Sequence, residues 1–386
     1  MAPALPPQRI LCIKLKHIGD VLLMTPAIRA LRRAWPECAV AALVPRGTEE
    51  VLAGNPDLTA VFVLDREAGY AGDLALVRAL RRFEPDLVLE MGQGDREAIL
   101  GWLSGARRRV GYVPGGPGAW RRMLLTRAVP WNGWQHVVET NLDLVRACGV
   151  AAEASRPVLV VQPELRVRMA ERLTEAGMGP GQRLAVVHPV SRWLFKAWPE
   201  ASCAEAIIRL VREIPVAVAL TSGPRNDEIE TANRILARAQ LGRGGGPIIN
   251  LIGHTSVGEL AALLELASLL VGVDSAPMHM AAALGVPVVA LFGPSGEMSW
   301  GPWGEGHAVI ASPYLCRPCG RDGCLGSKRS DCLEAITADE VVAAVAKVMS
   351  RLPVRDAFDS STVRQFSWSG MGGTVEPPNS RTAERF

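Results

Sequence analysis

Twice along this chain, short runs of residues suited to a buried strand alternate with stretches of helical periodicity, and this alternation restricts the fold more than any other feature. In the first series the strand runs fall at residues 9–15, 39–44, 60–64 and 86–90, with helical stretches at 20–33 and 74–83. In the second they fall at 184–187, 216–221, 248–252, 269–273 and 286–292, with helical stretches at 201–213, 257–267 and 277–284. Alternating strands and helices imply a parallel sheet covered by helices on both faces. Two such series in 386 residues exceed what one hydrophobic core organises, so the predicted class is α/β with two Rossmann-like domains. Residues 1–165 are assigned to the first and 184–350 to the second. Residues 166–183, with Gly177, Gly179, Pro180 and Gly181, form the linker region. From 356 to 386 the chain turns to Ser, Thr, Gly, Pro and Arg without an apolar period, which reads as a disordered tail.

Several function classes drop out. Forty-two Lys and Arg against 39 Asp and Glu leave a net charge of +3, too near balance for a whole-molecule nucleic-acid binder or membrane coat. No apolar run reaches the 18 residues a membrane span needs, and the first residues lack a basic-then-apolar leader, so the expected location is cytoplasmic. Eight cysteines, four of them isolated, fit reduced thiols rather than a disulfide scaffold.

In open parallel sheets ligands bind beyond the carboxyl ends of the strands, so the strand-to-helix turns carry the chemistry. After 269–273 come Asp274, Ser275, Ala276, Pro277 and, one turn on, His279. Ser275 suits an N-cap and Pro277 the first helical turn, and such a helix start can seat a phosphate; an ordinary capped helix with a satisfied histidine is equally compatible. After 184–187 come Ser191, Arg192 and Lys196, where a cation can neutralise a diphosphate; a surface loop with aromatic anchors is the alternative. After 9–15 come Lys16, His17, Ile18, Gly19 and Asp20. Asp20 is either an acid favoured by the helix dipole or a general base. Glu228, in the turn after 216–221, is suited to ribose hydroxyls or is a solvated loop acid.

Three ordered stretches resemble glycosyltransferase family 9, the ADP-heptose:lipopolysaccharide heptosyltransferases: RILCIKLKHIGDVLLMTPAIRALR (9–32), HPVSRWLFKAWP (188–199) and LLVGVDSAPMHMAAALGVPVVALFGPSGEMSWGPW (269–303). The segments KHIGDVLLMTP, FKAWP and DSAPMHMAAA are most similar to the heptosyltransferase III type. The resemblance implies a GT-B arrangement, with an acceptor domain first, a nucleotide-sugar domain second, their parallel sheets facing a central cleft, and a last helix that often crosses back. It also implies inverting, metal-independent transfer of heptose from ADP-heptose to the inner core of lipopolysaccharide, with no cofactor needed for catalysis. Asp20 then matches the base and Lys196 the phosphate-binding cation. Asp274, Ser275, Ala276 and His279 match the nucleotide-sugar loop, joined by Ser191 and Arg192, and Glu228 the ribose-binding acid. Many relatives have Thr-Gly where this chain has Ser275-Ala276.

A phosphorylated acceptor would meet Lys16, His17 and a basic stretch containing Arg107, Arg108, Arg121 and Arg122 with interleaved tryptophans. The same composition fits solvated arginines near core tryptophans, and leaves open a peripheral contact with the inner membrane; no nucleic-acid module accompanies it. Cys316, Cys319, Cys324 and Cys332 leave open a structural zinc ion or unligated thiols in a loop. Alternatives to the main reading are transfer of another activated sugar or to another core position, a sugar-nucleotide epimerase on the same fold, and a non-catalytic nucleotide-sugar sensor.

Overall fold

The computed structural model describes residues 6–113, 119–242 and 244–352. In the front half, strands β1 (Arg9–Ile13), β2 (Ala39–Pro45), β3 (Ala60–Leu64), β4 (Leu87–Glu90), β5 (Arg108–Val113) and β6 (Arg127–Pro130) form one sheet. Its helices are α1 (Ile18–Leu22), α2 (Thr25–Ala34), α3 (Gly69–Phe83), α4 (Asp95–Leu103) and α5 (Val137–Ala147). In the rear half, β7 (Arg183–His188), β8 (Val216–Thr221), β9 (Ile248–Leu251), β10 (Leu269–Val273), β11 (Val288–Phe292) and β12 (Ala308–Ala311) form the second. Its helices are α6 (Pro163–Glu175), α7 (Glu200–Glu213), α8 (Asn226–Leu241), α9 (Val257–Leu266), α10 (Ala276–Leu284), α11 (Glu297–Trp300), α12 (Asp331–Glu334) and α13 (Ala338–Ser350).

Every pairing is parallel. The front order is β3-β2-β1-β4-β5-β6 and the rear order β12-β11-β10-β7-β8-β9, which read from its other edge is the same arrangement. Each sheet therefore reverses its strand order once, between β1 and β4 and between β7 and β10, and a crevice for ligand opens at each reversal.

The strands are apolar on both faces because both faces are covered. Ile10 and Cys12 of β1 join the same buried cluster as Leu184 and Val186 of β7 and Met278 and Ala281 of α10, so the inner layer runs unbroken through both halves. Leu11 and Ile13 pack outward with Leu76 and Leu80 of α3, and Ala185 and Val187 with Ile207 and Leu210 of α7. A fully buried leucine or valine contributes about 1.5–3 kcal/mol, so this layering outweighs local preference along each strand.

The structure differs from the sequence reading in several places. The stretch 20–33 is two helices, because Pro26 lacks an N–H and its ring opposes the Leu22 carbonyl, which takes a hydrogen bond from Thr25 Oγ1 instead (2.7 Å). The basic stretch contains β5 and β6. Part of the expected linker is α6, which packs on α9 of the rear half, and Arg172 donates to the His254 carbonyl (2.9 Å). Among the described residues the chain passes from front to rear once, through 148–162, where Thr25 Oγ1 accepts from Val158 N (2.7 Å). The last described helix, α13, stays on the rear half against α7, β11 and β12. The stretch 356–386 lies outside the described residues.

Candidate active site

At the front reversal, Lys14 directly follows β1 and Met91 follows β4. Lys14 Nζ donates to the Met91 carbonyl (2.7 Å) and to Asn141 Oδ1 of α5 (3.5 Å), and lies 3.8 Å from Asp20 Oδ1 in the first turn of α1. Burial lowers the Lys14 pKa below its ordinary value, while the Asp20 and Glu97 carboxylates oppose that shift. Glu97 holds the surrounding turns by accepting from Leu15 N (2.8 Å) and Gly94 N (2.6 Å). A Cβ at Gly92 would collide with that carboxylate, so only glycine fits there.

At the rear reversal, Asp274 directly follows β10 and accepts from Lys196 Nζ (2.6 Å). Lys196 ends a 3₁₀ turn fixed from behind: Ser330 Oγ donates to the Phe195 carbonyl (2.6 Å), and the buried Trp198 indole to the Ile336 carbonyl (3.0 Å). Trp198 is thus an anchor, whereas Trp193 stays 41% exposed, with Lys196 Nζ 5.3 Å from its ring centre. Ser191 is buried and its hydroxyl is committed to the Trp193 carbonyl (2.9 Å). Ser275 is the N-cap residue of α10, but its hydroxyl donates to the Val273 carbonyl (3.2 Å), so no side chain caps this helix start. The uncapped first turn, beginning at Ala276, keeps the positive end of the helix available beside Lys196.

The halves meet over these turns. Arg192 Nη1 lies 3.0 Å from His17 Nδ1, and the His17 ring stands edge-on to Trp193 at 5.0 Å. A Cβ on Gly19 would lie 2.8 Å from His279 Cδ2, so α1 approaches α10 closely only because residue 19 has no side chain. His279 is buried and its pKa is pushed down to about 4, first by desolvation, with the Asp274 and Asp20 carboxylates pulling it up and His136 and Lys196 pushing it down. Its Nδ1 has no hydrogen-bond partner among the described residues. His136, at the N-cap of α5, reaches the Gly301 carbonyl with Nε2 (3.0 Å) while Nδ1 accepts from Val138 N (3.2 Å), which makes it a neutral ring protonated on Nε2. Glu228 is buried at the start of α8 against Gly223, where a Cβ would lie 2.5 Å from Oε2. Burial raises its pKa, and the Arg225 backbone amide and the Arg192 guanidinium counter that shift.

The structure therefore gathers Lys16, His17, Asp20, Lys196, Asp274, Ser275, Ala276 and His279 at the facing turns, with Lys16 and His17 exposed. It does not gather the arginines into one surface. Arg107 and Arg122 are exposed and Arg108 is half-buried in β5, but Arg121 is fully buried beside Glu90 (3.4 Å). Glu90 is pushed up to about 7, chiefly by burial, against the pull of the Arg121 charge. Arg121 is thus a partner inside the fold, not part of an open basic face. Sequence reading passes over Lys14 and Glu97; a lone lysine closing an otherwise apolar strand run is the signal for the first. The four rear cysteines are free thiols at different depths, Cys316 exposed, Cys319 and Cys324 half-buried, and Cys332 buried. Among the described residues no group of three or more His, Cys, Asp or Glu is placed to hold a metal ion.

The model of glycosyltransferase family 9 (heptosyltransferase) matches residues 74–329. Lipopolysaccharide heptosyltransferase 3 of Escherichia coli is 32% identical over 86% of this chain and 96% of its own. The chain belongs to glycosyltransferase family 9. As a glycosyltransferase it shares the GT-B fold with solved structures. A family 9 transferase from Veillonella parvula superposes with a TM-score of 0.76 at 22% identity, covering 89% of this chain and 98% of the other. The E. coli heptosyltransferase WaaC, solved with ADP-2-deoxy-2-fluoro heptose, gives 0.66 at 22% identity, covering 88% and 99%. No helix among the described residues is long and apolar enough to cross a membrane.

Proposed function

We propose that this glycosyltransferase moves heptose from ADP-heptose to the inner core of lipopolysaccharide, with the acceptor over the front half and the donor over the rear. The observation that carries the reading is the placement of opposite charges at the two strand-order reversals: the carboxylate of Asp20 in front and the ammonium of Lys196 behind, with His279 next to both. The E. coli relative named for lipopolysaccharide and the fold neighbour solved with an ADP-heptose analogue support the choice of substrates.

The step is one displacement with inversion. Asp20 takes the proton of an acceptor hydroxyl as that oxygen bonds to the anomeric carbon. The bond from that carbon to the diphosphate breaks, and its electron pair leaves with ADP. Charge grows on the departing diphosphate, where Lys196 and the uncapped start of α10 face it. Lys196 supplies there the positive charge that a metal ion supplies in other transferases, so we read the reaction as metal-independent. In this reading Glu228 takes ribose hydroxyls, and the exposed Lys16 and His17 meet acceptor phosphates. A lipid-linked acceptor puts the enzyme at the cytoplasmic face of the inner membrane, in peripheral contact.

Incubation of the protein with ADP-heptose and a heptose-truncated core acceptor, followed by mass spectrometry, tests this reading. A gain of one heptose on the glycolipid, unchanged by EDTA, is expected. Conversion of the nucleotide sugar without acceptor would mark an epimerase, and a gain only from a different nucleotide sugar would correct the donor.

A further inference from the structure

We propose that Lys14 is the positioning residue for Asp20, holding its carboxylate at the front strand-order reversal; this rests on Asp20 being the base. Lys14 is 3% exposed, and a buried ammonium persists only where it is paired and hydrogen-bonded. It joins three separate parts of the front half, donating to the Met91 carbonyl after β4 and to Asn141 on α5 and forming a 3.8 Å ion pair with Asp20 on α1. Asn141 is itself engaged, since its Nδ2 donates to the Leu23 carbonyl at the end of α1 (3.0 Å). Lys14 and Asn141 thus hold α1 at both ends.

That grip matters because α1 is short, although Val21 and Leu22 seat it in the core. It spans five residues, its N-cap His17 makes no side-chain cap, and Pro26 prevents continuation into α2. Asp20 is the more exposed partner, its side chain 15% exposed against 4% for Lys14, so Lys14 acts on the reaction through Asp20. The charged groups facing Lys14 are Asp20, Glu97 and Lys16, and those facing Asp20 include His17 and His279.

Lys14→Gln keeps a donor for the Met91 carbonyl and removes the charge; Lys14→Met removes both. For Lys14→Gln we expect kcat to fall ten- to about hundredfold, with ADP affinity and acceptor KM unchanged. Lys14→Met is expected to show the same split between kcat and affinity, with a lower melting temperature. A structural role alone would leave Lys14→Gln with wild-type kcat, and that result overturns the proposal. Should Lys14→Met not fold, Lys14→Gln decides by itself. Asp20→Asn, measured in parallel, separates the two failures: if it turns over normally, the assignment of the base is wrong; if it is dead while Lys14→Gln behaves as wild type, only the positioning role is wrong.

Discussion

Each strand-order reversal holds one lysine and one aspartate, yet the two pairs are stacked in opposite order. In front the lysine is the deeper partner, its side chain 4% exposed against 15% for Asp20, and the pair is open at 3.8 Å. Behind, the aspartate is deeper, 9% exposed against 17% for Lys196, and the pair is closed at 2.6 Å. Identical residue types on identically ordered sheets thus expose opposite members of the pair, so depth, rather than composition, sets which of the two lies nearer solvent.

The largest test of that contrast removes the front charge. Asp20→Asn should lower kcat by about 10²–10⁴, the range of a lost general base, while calorimetric ADP affinity stays at wild type. Lys196→Ala should cost about 10²–10³ in kcat and, unlike Asp20→Asn, weaken ADP binding. If the two affinity results were exchanged, the front would be the anion side and the contrast would be inverted. Gly19→Ala should act between them: a methyl 2.8 Å from the His279 ring pushes the turns apart and can cost up to about 10² in kcat with little effect on ADP affinity.

The smallest effect concerns stability and sets two buried histidines against a buried carboxyl. His188 and His279, both in the rear, have values lowered to about 4 by burial. On acidification the unfolded chain takes up their protons first, from about pH 6.5. Their contribution is therefore intact above 6.5, shrinks by about 2 kcal/mol each by pH 5, and levels off below 4. Glu90 in front is raised to about 7, so its effect has the opposite sign, destabilising as pH rises from about 4.5 to 7. Urea unfolding at pH 7 and pH 5 should show a net loss at the lower pH, and Glu90→Gln should enlarge it.

The repeating architecture was legible because parallel strands buried on both faces write themselves as unbroken apolar runs, and the strands at 60–64, 216–221 and 269–273 fall on the predicted bounds. β5 and β6 were not, since Arg108, Arg109 and Arg127 at the sheet margin mask the pattern that Val110 and Tyr112 carry. For the site, the turns could be found from strand ends, but the partners of each charge could not. Lys14 with Asn141, and Arg121 with Glu90, are joined by hydrogen bonds across 127 and 31 residues, and no local spacing encodes such a pairing. The hydroxyl of Ser191 closes a turn onto its own backbone neighbour two residues on, a local pairing that strand-end position does not announce.

The crossing through 148–162, the one passage between halves among the described residues, has a consequence for inheritance. Because each half completes its own sheet before or after that passage, two homologous genes recombined there would leave both sheets threaded as before. On the proposed division of donor and acceptor between the halves, such chimeras would draw their nucleotide-sugar preference from one parent and their glycolipid preference from the other, and new pairings of substrates could arise by splicing instead of by gradual remodelling of either pocket.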